Sequence, residues 1–96
     1  MLIGKSDEEL AEELRSGRIT VSVYGLGHVG IPLAIAWLMA GARVIGVDVD
    51  ESKVDAVNRG RSPIREPGAD EAISLYSSKG RLSATTDGVE ASRASE

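Results

Sequence analysis

The chain carries the run Val21-Ser-Val-Tyr-Gly25-Leu-Gly27-His-Val-Gly30, around which its other elements are arranged. It reads as a short β-strand that runs into a glycine-rich turn and then into a helix. The glycines fall at the spacing G-x-G-x-x-G, which alone is weak evidence because it arises by chance. Context strengthens it. The strand-like run Ile19 to Tyr24 comes immediately before, and the helix-like run Ile31 to Ala40 immediately after. A second strand then ends on an acid, Asp48, 18 residues past Gly30. A glycine-rich turn that binds nothing is the plain alternative. The full combination favours a dinucleotide-binding βαβ unit instead.

Each glycine has its own task in that reading. Gly25 permits the tight turn out of the strand, and Gly27 lets a pyrophosphate approach the backbone. Gly30 lets the helix pack against the strand. Free N–H groups and the positive end of the helix dipole then favour phosphate charge.

Ile19, Val21 and Val23 share one face of the first strand, and Thr20, Ser22 and Tyr24 the other. The small residues of the second face leave room for a helix. Pro32 suits the first turn of the helix after the glycines, where donors are unpaired anyway. Ile31, Leu33, Ala34, Ile35, Trp37 and Leu38 cover nearly all sides of that helix, which predicts deep burial. Gly41 ends it. Arg43 to Asp48 is the second strand, and its apolar run Val44 to Val47 suits a parallel strand covered on both faces. Asp48, at its C-terminal end, can accept hydrogen bonds from both hydroxyls of an adenine ribose. A 2′-phosphate would be repelled, so the cofactor should be NAD rather than NADP. A helix-capping or solvated acid is the plainer reading of Asp48. Asp50 is better placed to cap, since it precedes the helix Glu51 to Arg59, which buries Val54 and Val57 and stops at Gly60.

Arg61 to Glu66 is a connection. Glu66-Pro67-Gly68 opens another helix, with Pro67 expected at the first helical position. Ala69, Ala72, Ile73 and Tyr76 follow at helical spacing, and Gly80 caps it. Leu82 to Thr85 is a third strand, short and half polar. From Gly88 to Glu96 the only large apolar residue is Val89, which predicts a short exposed helix or a frayed end. Upstream, Ser6-Asp-Glu-Glu9 is a capping box that starts an acidic helix over Ser6 to Ser16, with Gly17 as its C-terminal cap. Leu10 and Leu14 lie one turn apart on it. The helix is read as solvated, packing its leucines on the sheet edge, in preference to a partner contact.

The 96 residues suffice for one small domain, whereas a complete dinucleotide-binding fold needs about six strands. Aromatics are scarce, so the core is aliphatic. A net charge of -4 argues against nucleic acid as the main partner. No window is apolar and long enough to span a membrane, and Met1 to Leu10 lacks the apolar core of a secretory signal. A cytoplasmic protein is the default expectation. With no cysteine there are no thiolate metal sites and no cysteine nucleophile. No carboxylate pair, metal cluster or serine elbow is apparent. His28, the only histidine, lies inside the turn, where its backbone suits phosphate better than its side chain suits catalysis. The catalytic and metal-ligand sets are therefore both empty.

Read together, Val23-Tyr-Gly-Leu-Gly-His-Val-Gly-Ile-Pro-Leu-Ala34, Val44-Ile-Gly-Val-Asp48, Lys53-Val54, Asn58-Arg-Gly60, Pro63-Ile-Arg-Glu-Pro-Gly68, Gly80-Arg-Leu82 and Thr85-Thr-Asp87 make a combined pattern. It resembles the N-terminal NAD-binding domain of the UDP-glucose/GDP-mannose dehydrogenase family, which includes UDP-N-acetylmannosamine dehydrogenases. The resemblance runs from Ile19 to the C-terminus. It implies an enzyme that oxidises the C6 alcohol of a nucleotide sugar to a carboxylate in two NAD-dependent steps, through a cysteine thiohemiacetal assisted by a lysine and an asparagine. It also implies a place in polysaccharide biosynthesis and a homo-oligomer. By resemblance, Asp48 and Lys53 match the pair that contacts the adenosine ribose, and the backbone at His28 and Val29 matches the pyrophosphate contact. The cofactor-binding set is then Gly25, Leu26, Gly27, His28, Val29, Gly30, Asp48 and Lys53. His28 departs from the tyrosine usual in the family, which leaves a backbone role intact.

The family's next strand, its catalytic cysteine and its sugar-binding domain have no counterpart here. The expected fold is therefore α/β, a partial Rossmann-like (doubly wound) parallel sheet with flanking helices, truncated after about three strands. Residues 1–18 form an N-terminal helical extension and 19–96 the first part of the NAD-binding domain. Nucleotide sugar would be a partner only of the parent enzyme. A β-hydroxyacid-type dehydrogenase shares the turn, but Pro63 to Gly68 argues against it. A stand-alone, non-catalytic nucleotide-binding or regulatory module is the rival from another class.

Overall fold

Alternation along the strands decides which side of the sheet collects the helices. The computed structural model describes residues 19–89 and residue 91. Three strands, β1 (Thr20–Tyr24), β2 (Arg43–Val47) and β3 (Leu82–Thr85), lie side by side in chain order, all parallel. Thr20 pairs with Arg43 and Tyr24 with Val47; Val44 pairs with Leu82 and Val47 with Thr85. Helix α1 (Gly30–Ala40) connects β1 to β2. Helices α2 (Glu51–Asn58) and α3 (Ala69–Ser78) connect β2 to β3. The helix expected over Ser6 to Ser16 lies outside the described residues.

Val23, Val44 and Leu82 form one core with Ile31, Ala34 and Leu38 of α1, Val54 and Val57 of α2, and Ala69 and Ile73 of α3. Each fully buried Leu or Ile contributes about 1.5–3 kcal/mol to such a core. Successive strand residues face opposite ways, so Ser22 and Tyr24 look away from these helices. There the chain returns after β3: the Ser22 hydroxyl donates to the Ala91 carbonyl (3.1 Å) and the Tyr24 hydroxyl to that of Gly88 (3.0 Å). Asp87 starts this helical segment by accepting the Val89 N–H at 3.0 Å. The small second face of β1 receives this helical segment, so the expected exposed or frayed end is corrected at Ala91, while residues 90 and 92–96 lie outside the described residues. Val89 is exposed, but Ala91 is buried against the sheet.

The helix stops at Gly41, Gly60 and Gly80 all fall where the glycines predict. Each glycine has a positive φ, which only a residue without a Cβ adopts at little cost. Each closes its helix with a pair of backbone bonds, as where Gly41 N–H reaches Leu38 O and Ala42 N–H reaches Trp37 O. Two expectations fail. Pro67 is not inside α3, because Gly68 takes φ 81° as the N-cap and reverses the chain one residue later. Helix α1 is not buried all round. Ile31, Ala34 and Leu38 are buried and Ile35 and Trp37 half-buried, but Leu33 and Met39 face outward because only one side of α1 meets the sheet.

Long-range side-chain bonds tie the ends together. Arg81 Nη2 donates to the carbonyls of Leu38 and Ala42, both at 2.8 Å, which holds the end of α1 to the start of β3. Its guanidinium also lies 5.0 Å from the centre of the Tyr76 ring. On the outer edge of β3, the Asn58 amide donates to the Ala84 carbonyl (2.9 Å) and accepts the Ala84 N–H (2.8 Å).

Candidate functional site

The C-terminal ends of β1 and β2 converge on the glycine turn. The Gly25 N–H donates to Val47 O at 2.7 Å, so the turn leaves β1 bonded to its neighbour. Gly25 has φ 92°, the left-handed geometry its place predicts. Gly30 lies so close to the turn that a Cβ there would overlap the Gly25 carbonyl oxygen. At Gly27 the opposite holds: a Cβ would meet nothing within 4 Å. The middle glycine is therefore not needed by the fold, and its missing side chain leaves open space.

Helix α1 begins with Val29 as N-cap and no side-chain cap. The N–H groups of His28, Val29 and Gly30 donate to no other described residue. Orphan donors at the positive end of a helix are a ready anion site. Both side chains here, His28 and Val29, are exposed, so the turn offers backbone rather than side chain. An open recess of about 430 Å³ runs along Tyr24, Gly25, Gly27, His28, Val29 and Leu33. A larger groove of about 600 Å³ follows the loop from Ser62 to Asp70 but includes none of the eight expected residues.

Asp48 follows β2 and reaches back to the turn. Its Oδ2 accepts the Leu26 N–H at 2.8 Å and its Oδ1 the Asp50 N–H at 2.9 Å. Those bonds, the Leu26 N–H foremost, hold the carboxyl below the ordinary value of 3.8, and the nearby Lys53 charge pulls the same way. Asp50 is also lowered, by the Ser52 hydroxyl and N–H that it accepts as N-cap of α2. The capping role thus falls to Asp50, as its position predicts. Asp48 does not cap; it joins β2 to the glycine turn.

A depressed carboxyl stabilises the folded state above its unfolded pKa, and the stabilisation is lost as pH falls through the lower folded value. Melting temperature should therefore drop on acidification below about pH 4. The drop should be shallower for Asp48→Asn, which loses this proton linkage. Equal slopes for the two proteins, measured by circular dichroism, would mean that the Leu26–Asp48 bond contributes nothing.

The structure places Gly25 to Gly30 in one turn with Asp48 bonded to it, while Lys53, on α2, reaches the site only through its charge near Asp48. Glycine spacing points to six of them directly. Two further residues near the turn carry no mark in that sequence pattern. Val49, beside Asp48, is 93% exposed although apolar. Gly46, inside β2, receives the Leu26 side chain. A glycine in the middle of an apolar strand is the one signal that could have flagged the latter.

Residues 19–96 match the NAD binding domain of the UDP-glucose/GDP-mannose dehydrogenase family. The chain belongs to that family. A GDP-mannose 6-dehydrogenase of Pseudomonas putida is 46% identical over 76 residues, covering 79% of this chain and 17% of the relative. A UDP-N-acetyl-D-mannosamine dehydrogenase of Salmonella typhi is 43% identical over 72 residues, covering 75% and 17%. A solved UDP-glucose dehydrogenase from Pyrobaculum islandicum superposes with a TM-score of 0.76 at 40% identity, covering 85% of this chain and 19% of that one. The chain thus spans about 17% of the length of the curated relatives.

The family's cofactor is NAD, and the residues fit it. Open space at Gly27, uncapped donors at the start of α1 and a carboxylate at the end of β2 supply room, charge and a hydroxyl acceptor. The dehydrogenase family's three-strand start, with its flanking helices, is present as the sequence predicts.

Proposed function

We propose that this chain is the NAD-holding portion of a nucleotide-sugar 6-dehydrogenase, whose whole enzyme oxidises a sugar C6 alcohol to the carboxylate. The observation that carries the site is Asp48 bound to the glycine turn through Leu26. Each Asp48 oxygen already accepts one backbone N–H and keeps a lone pair free. Those lone pairs accept the 2′- and 3′-hydroxyls of the adenosine ribose, with Lys53 beside them. The backbone of Gly25, Leu26, Gly27, His28, Val29 and Gly30 cradles the pyrophosphate. Val49 gives the adenine an apolar surface. NAD, when bound, supplies the hydride acceptor.

The direct test is to titrate NAD and NADP into the labelled chain and follow backbone amide signals. NAD should shift Gly25 to Gly30 and Asp48, and NADP should do so less, because its 2′-phosphate meets a carboxylate. In Asp48→Ala the NAD affinity should fall about tenfold or more, the loss of a hydrogen bond to a charged group. Unchanged affinity in that variant would remove Asp48 from the site.

The substrate class of the whole enzyme is a nucleotide sugar of the kind its relatives are named for, GDP-mannose, UDP-N-acetyl-D-mannosamine or UDP-glucose. A nucleotide sugar acid is an activated donor of a charged sugar, which suits polysaccharide biosynthesis in the cytoplasm. Homo-oligomeric assembly belongs to the same proposal, supported by the outward-facing Leu33 and Met39 of α1. The 96-residue chain itself should show no turnover. Holding the aldehyde as a covalent adduct needs a nucleophile, the sequence has no cysteine, and its one histidine sits at the phosphate end. NADH absorbance with NAD and GDP-mannose, UDP-glucose or UDP-N-acetylmannosamine should stay at the no-protein level. Turnover in a clean preparation would overturn this division of labour.

A further inference from the structure

The residue between the first two glycines is the best-buried side chain of the turn. Leu26 is only 1% exposed, although Gly25 is exposed and Gly27 half-exposed. Its side chain lies on Gly46 in the middle of β2. A Cβ on Gly46 would come within 2.6 Å of Leu26 Cδ2 and 3.3 Å of Cδ1, closer than van der Waals contact permits. The backbone at Gly46 does not itself demand glycine, because its φ is not among the positive ones. What a Cβ there would displace is the buried end of Leu26, which would have to shift to admit it. The Leu26 N–H meanwhile bonds Asp48, two residues along from Gly46. One turn residue is thus fixed to β2 at two points, by its side chain in a notch and by its backbone on a carboxylate.

We infer that Leu26 and Gly46 are positioning residues for NAD binding: the notch at Gly46 seats Leu26, and the seated Leu26 sets the height of the glycine turn and holds Asp48 against it. Neither side chain needs to touch the cofactor. Raising Leu26 by even a fraction of an ångström would lift the N–H groups of the turn and pull Leu26 N–H from Asp48 together. The inference rests on the NAD reading above, and deepens it by naming what holds the site in register before the cofactor arrives.

The test compares the full chain with Gly46→Ala, Leu26→Ala and the double variant. Three quantities are read: the thermal melt, amide hydrogen exchange at residue 26, and NAD affinity from the turn amides. Gly46→Ala should speed exchange at residue 26 and weaken NAD about tenfold. The Arg43 amide, bonded to Ile19 O in the sheet, should keep its protection. Leu26→Ala should weaken NAD as well. The double variant should lose less than the product of the two single losses, because the smaller side chain clears the new Cβ. Independent effects, or wild-type exchange and affinity in Gly46→Ala, would overturn the inference. If Gly46→Ala does not melt cooperatively, Leu26→Ala decides: weakened NAD with an intact melt supports the lock, and unchanged NAD overturns it. Should the unmodified chain bind no NAD, the functional reading fails, while exchange at residue 26 still tests the notch.

Discussion

Gly30→Val should unfold this chain or come close to it. A Cβ at that position would overlap the Gly25 carbonyl oxygen and lie 2.8 Å from the carbonyl carbon. Neither is a flexible side chain that could move aside; both belong to the tight turn that leaves β1. Relief would require α1 to retreat from the sheet, opening the contacts of Ile31, Ala34 and Leu38 in the core. Overpacking costs about 1–3 kcal/mol in ordinary cores, and a collision with backbone sits at the top of that range or above. A loss of about 3 kcal/mol lowers the melting temperature of a domain this size by roughly 12–24 °C. Thermal melts followed by circular dichroism check it. A Gly30→Val protein that melts within a few degrees of the unmodified chain would show that α1 is free to shift.

Gly27→Val should fail in the opposite way. It should fold as the parent does and lose NAD. Nothing lies within 4 Å of a Cβ on Gly27, and its φ is not among the positive ones. A surface substitution of that kind stays within about 0.5 kcal/mol. The space that valine fills is the space through which the pyrophosphate would reach the backbone N–H groups of the turn. Amide shifts on NAD addition should disappear while the melt is unchanged. Normal NAD binding in that variant would show that the turn serves the fold alone. Run side by side, the two glycines separate what the fold needs from what the ligand needs, within a single motif.

The parts of this structure legible in the sequence are those governed by neighbours a few residues apart. Period-two runs mark the strands, glycines 41, 60 and 80 mark the helix stops, and Asp50 marks the start of α2, because each rule acts within one turn of chain. The outward face of α1 was not legible. Leu33 and Met39 are as apolar as the buried Leu38, and only the position of the sheet distinguishes them. Pro67 obeyed a local preference that Gly68 overrode by turning left-handed. Ala91 carries no mark of burial, since the room for it is made by Ser22 on a strand 69 residues earlier. At the site, the glycines and Asp48 were readable as a spacing. The seat of Leu26 on Gly46 was not, since it joins two elements through a contact that neither residue announces. Arg81 escaped for the same reason, its two carbonyl partners lying 43 and 39 residues back.

The amide of Asn58 blunts the β3 edge of the sheet. By answering both the N–H and the C=O of Ala84, it impersonates one residue of a neighbouring strand without bringing a strand along. An incoming chain at that margin finds the N–H and C=O of Ala84 already engaged.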